Sequence, residues 1–466
     1  MGEPNTANLV GNCLGPNGRR EAKRLAFPQL PLPVQPVISG GLSFDQLCVH
    51  NVVLRCNRKK VFILAEAPVE PGPMSIPTIA LKLQRAFGPI PNMTWYASGT
   101  GDWFEAVQIV QELRKFDADA LVVIGRNAII DLAKVVLYAH SKLFETTPGN
   151  MEVLMRPTDV EMSNSKGKQL DRDEPGNVPP LFFVCIPTTC GGAPYTPRAY
   201  GYNKAAEQYC TLVRNINYPQ LIIMDGVATI GTSAKEWVGQ GVEGINHVVE
   251  GILSIHANPT MTATLTNALR RLCTGLILGR GHPYNIFARN MVLQGVNLAM
   301  TPMASVPPVS LGASHAFCNA AQQLCLAKPG EMAAVILPIV LAWSLKVVRI
   351  QSELQAFQRM RGTHHHIAEV LWETPACRQV FERARLDRRR CFIGQLLRTI
   401  FDFLGMPSTL PELGIASAAD QDLLAMEALK EPCALTAPVR MTRLNHSRLI
   451  LHQVSCLRRS VNAPRQ

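Results

Sequence analysis

A chain of 466 residues with 47% apolar and 17% charged content can bury two ordinary cores, which excludes a disordered or fibrous protein. The net charge of +11 comes from scattered Lys and Arg, clustered only in short runs such as residues 383–391, with no recognition helix, zinc knuckle or aromatic stacking motif beside them. This argues against nucleic acid and for a mildly basic surface. Thirteen cysteines without CxxC spacing suit a reducing compartment, and no uncharged apolar run is long enough to predict a membrane span.

In chain order, residues 1–43 are rich in Gly, Pro and Asn and lack an apolar signal core, so a flexible extension and a cytoplasmic protein are expected. From 44 to 231, β-branched runs alternate with amphipathic stretches. Residues 59–67 (KKVFILAEA) predict a buried strand, 75–88 and 102–118 predict helices, and 119–125 (DALVVIG) predicts a strand that opens directly into a helix. A polar stretch, 144–180, reads as a surface insertion. Residues 181–189 and 219–226 supply two further strands. Such alternation implies a parallel sheet with helices on both faces. From 232 to 466 the strand signal disappears and helical periodicity takes over. The expected fold class is α/β plus all-α: an N-terminal Rossmann-like parallel-sheet domain and a C-terminal helical domain, with a ligand in the cleft between them.

Local patterns carry the chemistry. A strand that ends in Gly125 and opens into a helix offers free N–H groups and a positive dipole end to an anion. In GVEGINHVVEGILS (241–254), Glu243 and His247 are four apart and stack on one helix face, with Glu250 further along the stripe. The pair either grips one ion or substrate group, or is self-satisfied inside a buried helix. The run RGTHHH (361–366) cannot converge on one face and is expected in a surface turn; Cys190 is expected to be a packing thiol.

VVIGRNAIIDLAK (122–134), IPTTCGGAPYTP (186–197), GVEGINHVVEGILS, LGASHAFCN (311–319), PGEMAAVILP (329–338) and GMPSTLPELGI (405–415) follow one another in one order. In that register residues 44–455 resemble the iron-containing (group III) alcohol dehydrogenase family, including its maleylacetate reductase branch and, more distantly, dehydroquinate synthase. The resemblance implies NAD(H) or NADP(H) across the sheet. Its pyrophosphate would lie at Gly125, Arg126, Asn127 and Ala128, where the family has Gly-Gly-Gly-Ser. Arg126 would then offer a charged contact in place of the lost close approach. Cofactor roles are implied for Asp131, Lys134, Thr188 and Thr189, and for Glu66, whose carboxylate would disfavour a 2′-phosphate.

The resemblance also implies a divalent metal, iron or zinc. The family's Asp ligand is Glu243 here, and its three His ligands are His247, His315 and Pro329; Asn319 replaces a further His beside the reacting carbonyl. Two versions follow. Either Glu243, His247 and His315 hold a metal that polarises a carbonyl, or His247 or His315 donates directly to the oxyanion while Arg198 holds a substrate carboxylate. Both imply an NAD(P)H-dependent oxidoreductase acting on a small-molecule carbonyl or enone acid of specialised metabolism, with a homodimer as a further implication. The alternatives are a catalytically silent relative acting as a binding protein and a dehydroquinate synthase-like lyase.

Overall fold

The computed structural model describes residues 37–39, 49–56, 59–67, 75–141, 181–203, 208–213, 217–304, 310–324, 326–350 and 354–452. Strands β1 (Val37–Ser39), β2 (Val61–Glu66), β3 (Asn92–Ala97), β4 (Ala120–Gly125) and β5 (Phe182–Pro187) come first. A hairpin of β6 (Arg198–Asn203) and β7 (Gln208–Val213) follows, and then β8 (Leu221–Met224). The hairpin is antiparallel and separate, whereas the other six strands form one parallel sheet in the order β1-β8-β5-β4-β2-β3. β2 and β4 are buried at every position because both sheet faces are covered. Alternate residues of each strand therefore serve two cores. Val61, Ile63 and Ala65 pack on α1 (His50–Arg55) and α2 (Ile76–Phe87), while Phe62 and Leu64 pack towards α3 (Trp103–Phe116) and α4 (Asn127–Ser141).

The second core runs without a break into the helical half. That half begins with α5 (Ala234–Leu253), α6 (Pro259–Gly281), α7 (Ile286–Met300), α8 (Ala313–Gln323) and α9 (Pro329–Ile350). It continues through α10 (Leu354–Glu373), α11 (Pro375–Arg383), α12 (Ile393–Phe403), α13 (Ala418–Lys430) and α14 (Cys433–Thr436). Ser233 caps α5 by accepting the Glu236 N–H at 3.2 Å. α5 and α9 cross with backbones in contact: a Cβ on Gly330 would lie 1.8 Å from the Gly239 carbonyl oxygen. By length and composition α9 could cross a membrane over Pro329–Val347, yet 67% of that window is buried inside the protein.

The α/β plus all-α architecture agrees with the sequence reading, and four local expectations change. β1 lies inside the predicted extension 1–43, the rest of which is outside the described residues, as is all of 144–180. β3 and the β6–β7 hairpin were not anticipated. RGTHHH is helical, within α10, and the helical turn separates its members: His364 is buried, while His366 Nε2 lies 3.1 Å from the Thr266 hydroxyl.

Candidate functional site

The order of the strands fixes where a ligand can sit. From β2 the chain moves outward to β3, then returns across β2 to β4 and continues in the opposite direction, so a crevice opens at the carboxyl ends of β2 and β4. Glu66 ends one of these strands and Gly125 the other. Thr188 and Thr189 follow β5 at the same edge; the Thr188 N–H donates to the Gly125 carbonyl at 3.1 Å. The Thr189 hydroxyl is buried without a partner, as is the Asn127 Oδ1. Gly191 permits a close approach: a Cβ there would lie 2.0 Å from the Asn127 amide. The predicted cofactor residues Glu66, Gly125, Arg126, Asn127, Thr188 and Thr189 thus share one crevice, where the orphaned Asn127 Oδ1 can accept from, and the Thr189 hydroxyl can donate to or accept from, a hydroxyl-bearing ligand.

Two features of the crevice differ from expectation. Arg126 does not reach into open space for a phosphate. Its Nε donates to Glu66 Oε1 at 2.6 Å, its Nη2 to the same oxygen, and its backbone N–H to Glu66 Oε2 at 3.1 Å. On its other side, Nη1 lies 3.7 Å from Glu236 in the first turn of α5. Glu66 is therefore paired with a cation in this structure rather than left free to face a ribose. Asp131 and Lys134 are also reassigned, as structural residues. The fully buried Lys134 ammonium donates to the carbonyls of Ala193 and Arg198, both at 2.6 Å, and lies 3.4 Å from Asp131 Oδ1. An ammonium has three donors, and all three are spent inside the protein. Burial pushes the Asp131 carboxyl up to about 6 despite the offsetting charge of Lys134, and lowers Lys134.

The second part of the site is a pair of imidazoles. α5 presents His247 and α8 presents His315, with ring centroids 4.4 Å apart in an edge-to-face arrangement. Glu250, one turn beyond His247, is buried and accepts the N–H groups of Gly312 (2.9 Å), Ser314 (2.7 Å) and His315 (3.3 Å) at the start of α8. Its Oε2 also lies 2.6 Å from His315 Nδ1. A carboxylate holding so many N–H groups is an acceptor, so the Nδ1 of His315 carries the proton and its Nε2 is left bare; that nitrogen is buried with no partner. His247 Nδ1–H donates to the Glu243 carbonyl at 2.9 Å, so its Nε2 is also bare. Burial, then the neighbouring His315, pushes His247 down to about 3, so it is a neutral ring at ordinary pH.

The metal set does not assemble. Among the described residues, no three His, Cys, Asp or Glu side chains are grouped so as to hold a metal ion, so Glu243, His247 and His315 are not a three-donor site. Pro329, where the family has its last His, is the first residue of α9, a position that tolerates a missing N–H. The Glu243 carboxyl is raised by burial and only partly lowered by His315. Asn319 stands one turn after His315 and donates to Glu431 at 2.9 Å. Arg198, at the start of β6, is exposed, with the Tyr200 hydroxyl 3.5 Å away and Glu431 within electrostatic reach.

Two functional side chains escaped the sequence reading: Glu236, and Glu250 in its role as the anchor of His315. Both continue the stripe of Glu243 at seven-residue spacing, but nothing in that spacing names their partners. α5 joins the two parts of the site. Its first turn touches the crevice through Glu236, and His247 lies eleven residues later, about 16 Å along the axis.

Residues 237–453 match the model of the Fe-containing alcohol dehydrogenase family, C-terminal. Among curated proteins, dehydrogenase FUM7 of Gibberella moniliformis is 23% identical over 431 residues, covering 88% of this chain and 94% of its own. The 1,3-propanediol dehydrogenase of Klebsiella pneumoniae is 26% identical over 262 residues, covering 56% of this chain and 62% of its own. Among solved structures, maleylacetate reductase from Agrobacterium tumefaciens superposes with a TM-score of 0.63 at 19% identity, covering 92% of this chain and 97% of its own. Alcohol dehydrogenase from Oenococcus oeni gives 0.68 at 16%, covering 87% and 96%. The helical half thus matches the C-terminal model of the iron-containing alcohol dehydrogenases, and the chain as a whole shares the fold of the solved maleylacetate reductase and alcohol dehydrogenase.

Proposed function

We propose that the chain is an NAD(P)H-dependent oxidoreductase that reduces a small carbonyl compound or an enone acid, with its imidazole pair rather than a metal ion serving the developing oxyanion. The observation that carries this reading is the bare, buried Nε2 of His315 backed by the Glu250 carboxylate. Bound dinucleotide supplies the hydride; Gly125, Asn127 and Thr189 are the residues to hold it. His315, once protonated, is an imidazolium paired with Glu250. It donates its Nε2 proton to the substrate oxygen as negative charge gathers there. Glu250 keeps accepting the Nδ1–H of His315 and fixes the ring plane throughout. His247 stays neutral, because a charge on His315 disfavours a second charge 4.4 Å away. Arg198, exposed beside the same half, is the candidate anchor for a substrate carboxylate.

The Arg126–Glu66 pair favours a second reading, a silent relative whose crevice is filled by its own side chains. Titrating the protein with NADH and NADPH, followed by nicotinamide fluorescence, separates the two, and an acceptor screen read by nicotinamide absorbance follows. The expected result is saturable binding of at least one dinucleotide and its oxidation by a carbonyl acceptor, unaffected by a chelator. No fluorescence change at saturating dinucleotide would establish the silent reading, and loss of turnover with chelator would remove the metal-free mechanism.

A further inference from the structure

The anion cradle at the β4–α4 turn already contains an anion. Glu66 is 2% exposed, and its carboxylate takes both the backbone N–H of Arg126 and two guanidinium donors of the same residue. Gly99, at φ 81°, closes the loop after β3 over this carboxylate: a Cβ there would lie 2.9 Å from Glu66 Oε1. Glu236 holds the guanidinium from the helical half at 3.7 Å. One cation is thus shared by two carboxylates, at the place where a strand ends and a long helix begins.

We propose that Glu66 is a built-in competitor of the cofactor's pyrophosphate, and that binding proceeds by exchange: Arg126 leaves the Glu66 carboxylate and turns its guanidinium to the incoming diphosphate. This rests on the reading of the chain as a dinucleotide-dependent oxidoreductase. The physical argument is a balance of charge. Charge-assisted guanidinium contacts to a carboxylate oxygen and to a phosphate oxygen are close in kind, so one can replace the other. The exchange has two costs, since it strips a buried carboxylate of its partner and brings a dianion towards two fixed negative charges. Both costs lower affinity in the native chain, and both fall when Glu66 loses its charge. Arg126, standing where the family has glycine, is therefore the receptor of the cradle, and Glu66 is the group that keeps it closed. Glu236 adds a weaker hold from the other domain, because it is longer-range and partly solvated.

The test compares NADH and ADP-ribose binding by native protein and three variants, Glu66→Gln, Glu236→Gln and the double variant Glu66→Gln with Arg126→Gln. Melting temperatures verify folding. Glu66→Gln is expected to bind both ligands at least tenfold tighter, Glu236→Gln about two- to threefold tighter, and the double variant to lose the gain. Unchanged or weaker binding by a folded Glu66→Gln protein, with native protein still binding, overturns the exchange and leaves the oxidoreductase reading intact. Retention of the gain without Arg126 also overturns it. If Glu66→Gln fails to fold, Glu236→Gln decides: tighter binding supports the proposal and unchanged binding removes it. No binding by native protein or any variant sinks both the exchange and the oxidoreductase reading.

Discussion

Glu250 shows how one carboxylate can set the chemistry of a distant side chain. It lies 65 positions before His315 in sequence, yet fixes that ring's tautomer and caps the helix that carries it. Glu250→Gln keeps an acceptor for the backbone N–H groups but removes the charge that pairs with an imidazolium. Turnover is expected to fall about 100-fold or more, KM to change little, and the pH at which kcat is half-maximal to move. A kcat–pH profile indistinguishable from native would exclude Glu250 as the positioning residue of His315. The two histidines were legible because their spacing and register survive in the text. The anchoring role of Glu250 was not, since a helix stripe says which residues are neighbours on one helix and nothing about what lies opposite. Asp131 and Lys134 failed for a related reason: i,i+3 spacing is the same for a surface pair, a ligand pair and a buried clamp.

At the scale of elements, the clamp and the α5–α9 crossing are where substitution should cost stability. Lys134→Met orphans two carbonyls and leaves Asp131 buried without its partner, at an expected cost of about 3–5 kcal/mol by denaturant unfolding at pH 8. The deficit should shrink at pH 5, because a carboxyl already pushed up to about 6 takes a proton and sheds the unpaired charge. An equal deficit at both pH values would contradict the assignment of the clamp. Gly330→Ala forces a methyl against the Gly239 carbonyl, and the helices must separate; a loss of about 1–3 kcal/mol is expected in the same assay, whereas Gly281→Ala, with open space, should stay near neutral. β2, β4 and β5 were legible as unbroken apolar runs. β1 has three residues, too few for a pattern, and β3, an edge strand of mixed and mostly half-buried residues, shows no continuous core face. The β6–β7 hairpin belongs to no sheet whose burial would pattern it.

For the whole molecule, the switch from strand to helical periodicity near residue 232 gave away the two-part architecture, because each half buries its core with a different repeat. Its response to acid follows from imidazoles held neutral in both halves. Burial pushes His140 and His364 down to about 4 and His247 to about 3. Each takes up a proton only on unfolding between those values and the ordinary 6.5, so stability falls as pH drops through that window, by up to about 1.4 kcal/mol per pH unit and group. Asp131, raised to about 6, opposes this together with Glu243 and Asp225, which burial also raises, while His256, lowered by burial, adds to the imidazoles. The melting temperature should therefore decline steadily from pH 7 to pH 4.5, and a flat or rising trend would refute the assignment. α5 adds a mechanical consequence. It is a single stiff rod whose leading tip touches the proposed phosphate crevice through Glu236 and whose shaft carries His247 and Glu250, the anchor of His315. A displacement at the tip is transmitted down the shaft, so grip on the coenzyme and reach towards the substrate shift together. Chimeras that graft the sheet half of one relative onto the helices of another should lose both at once.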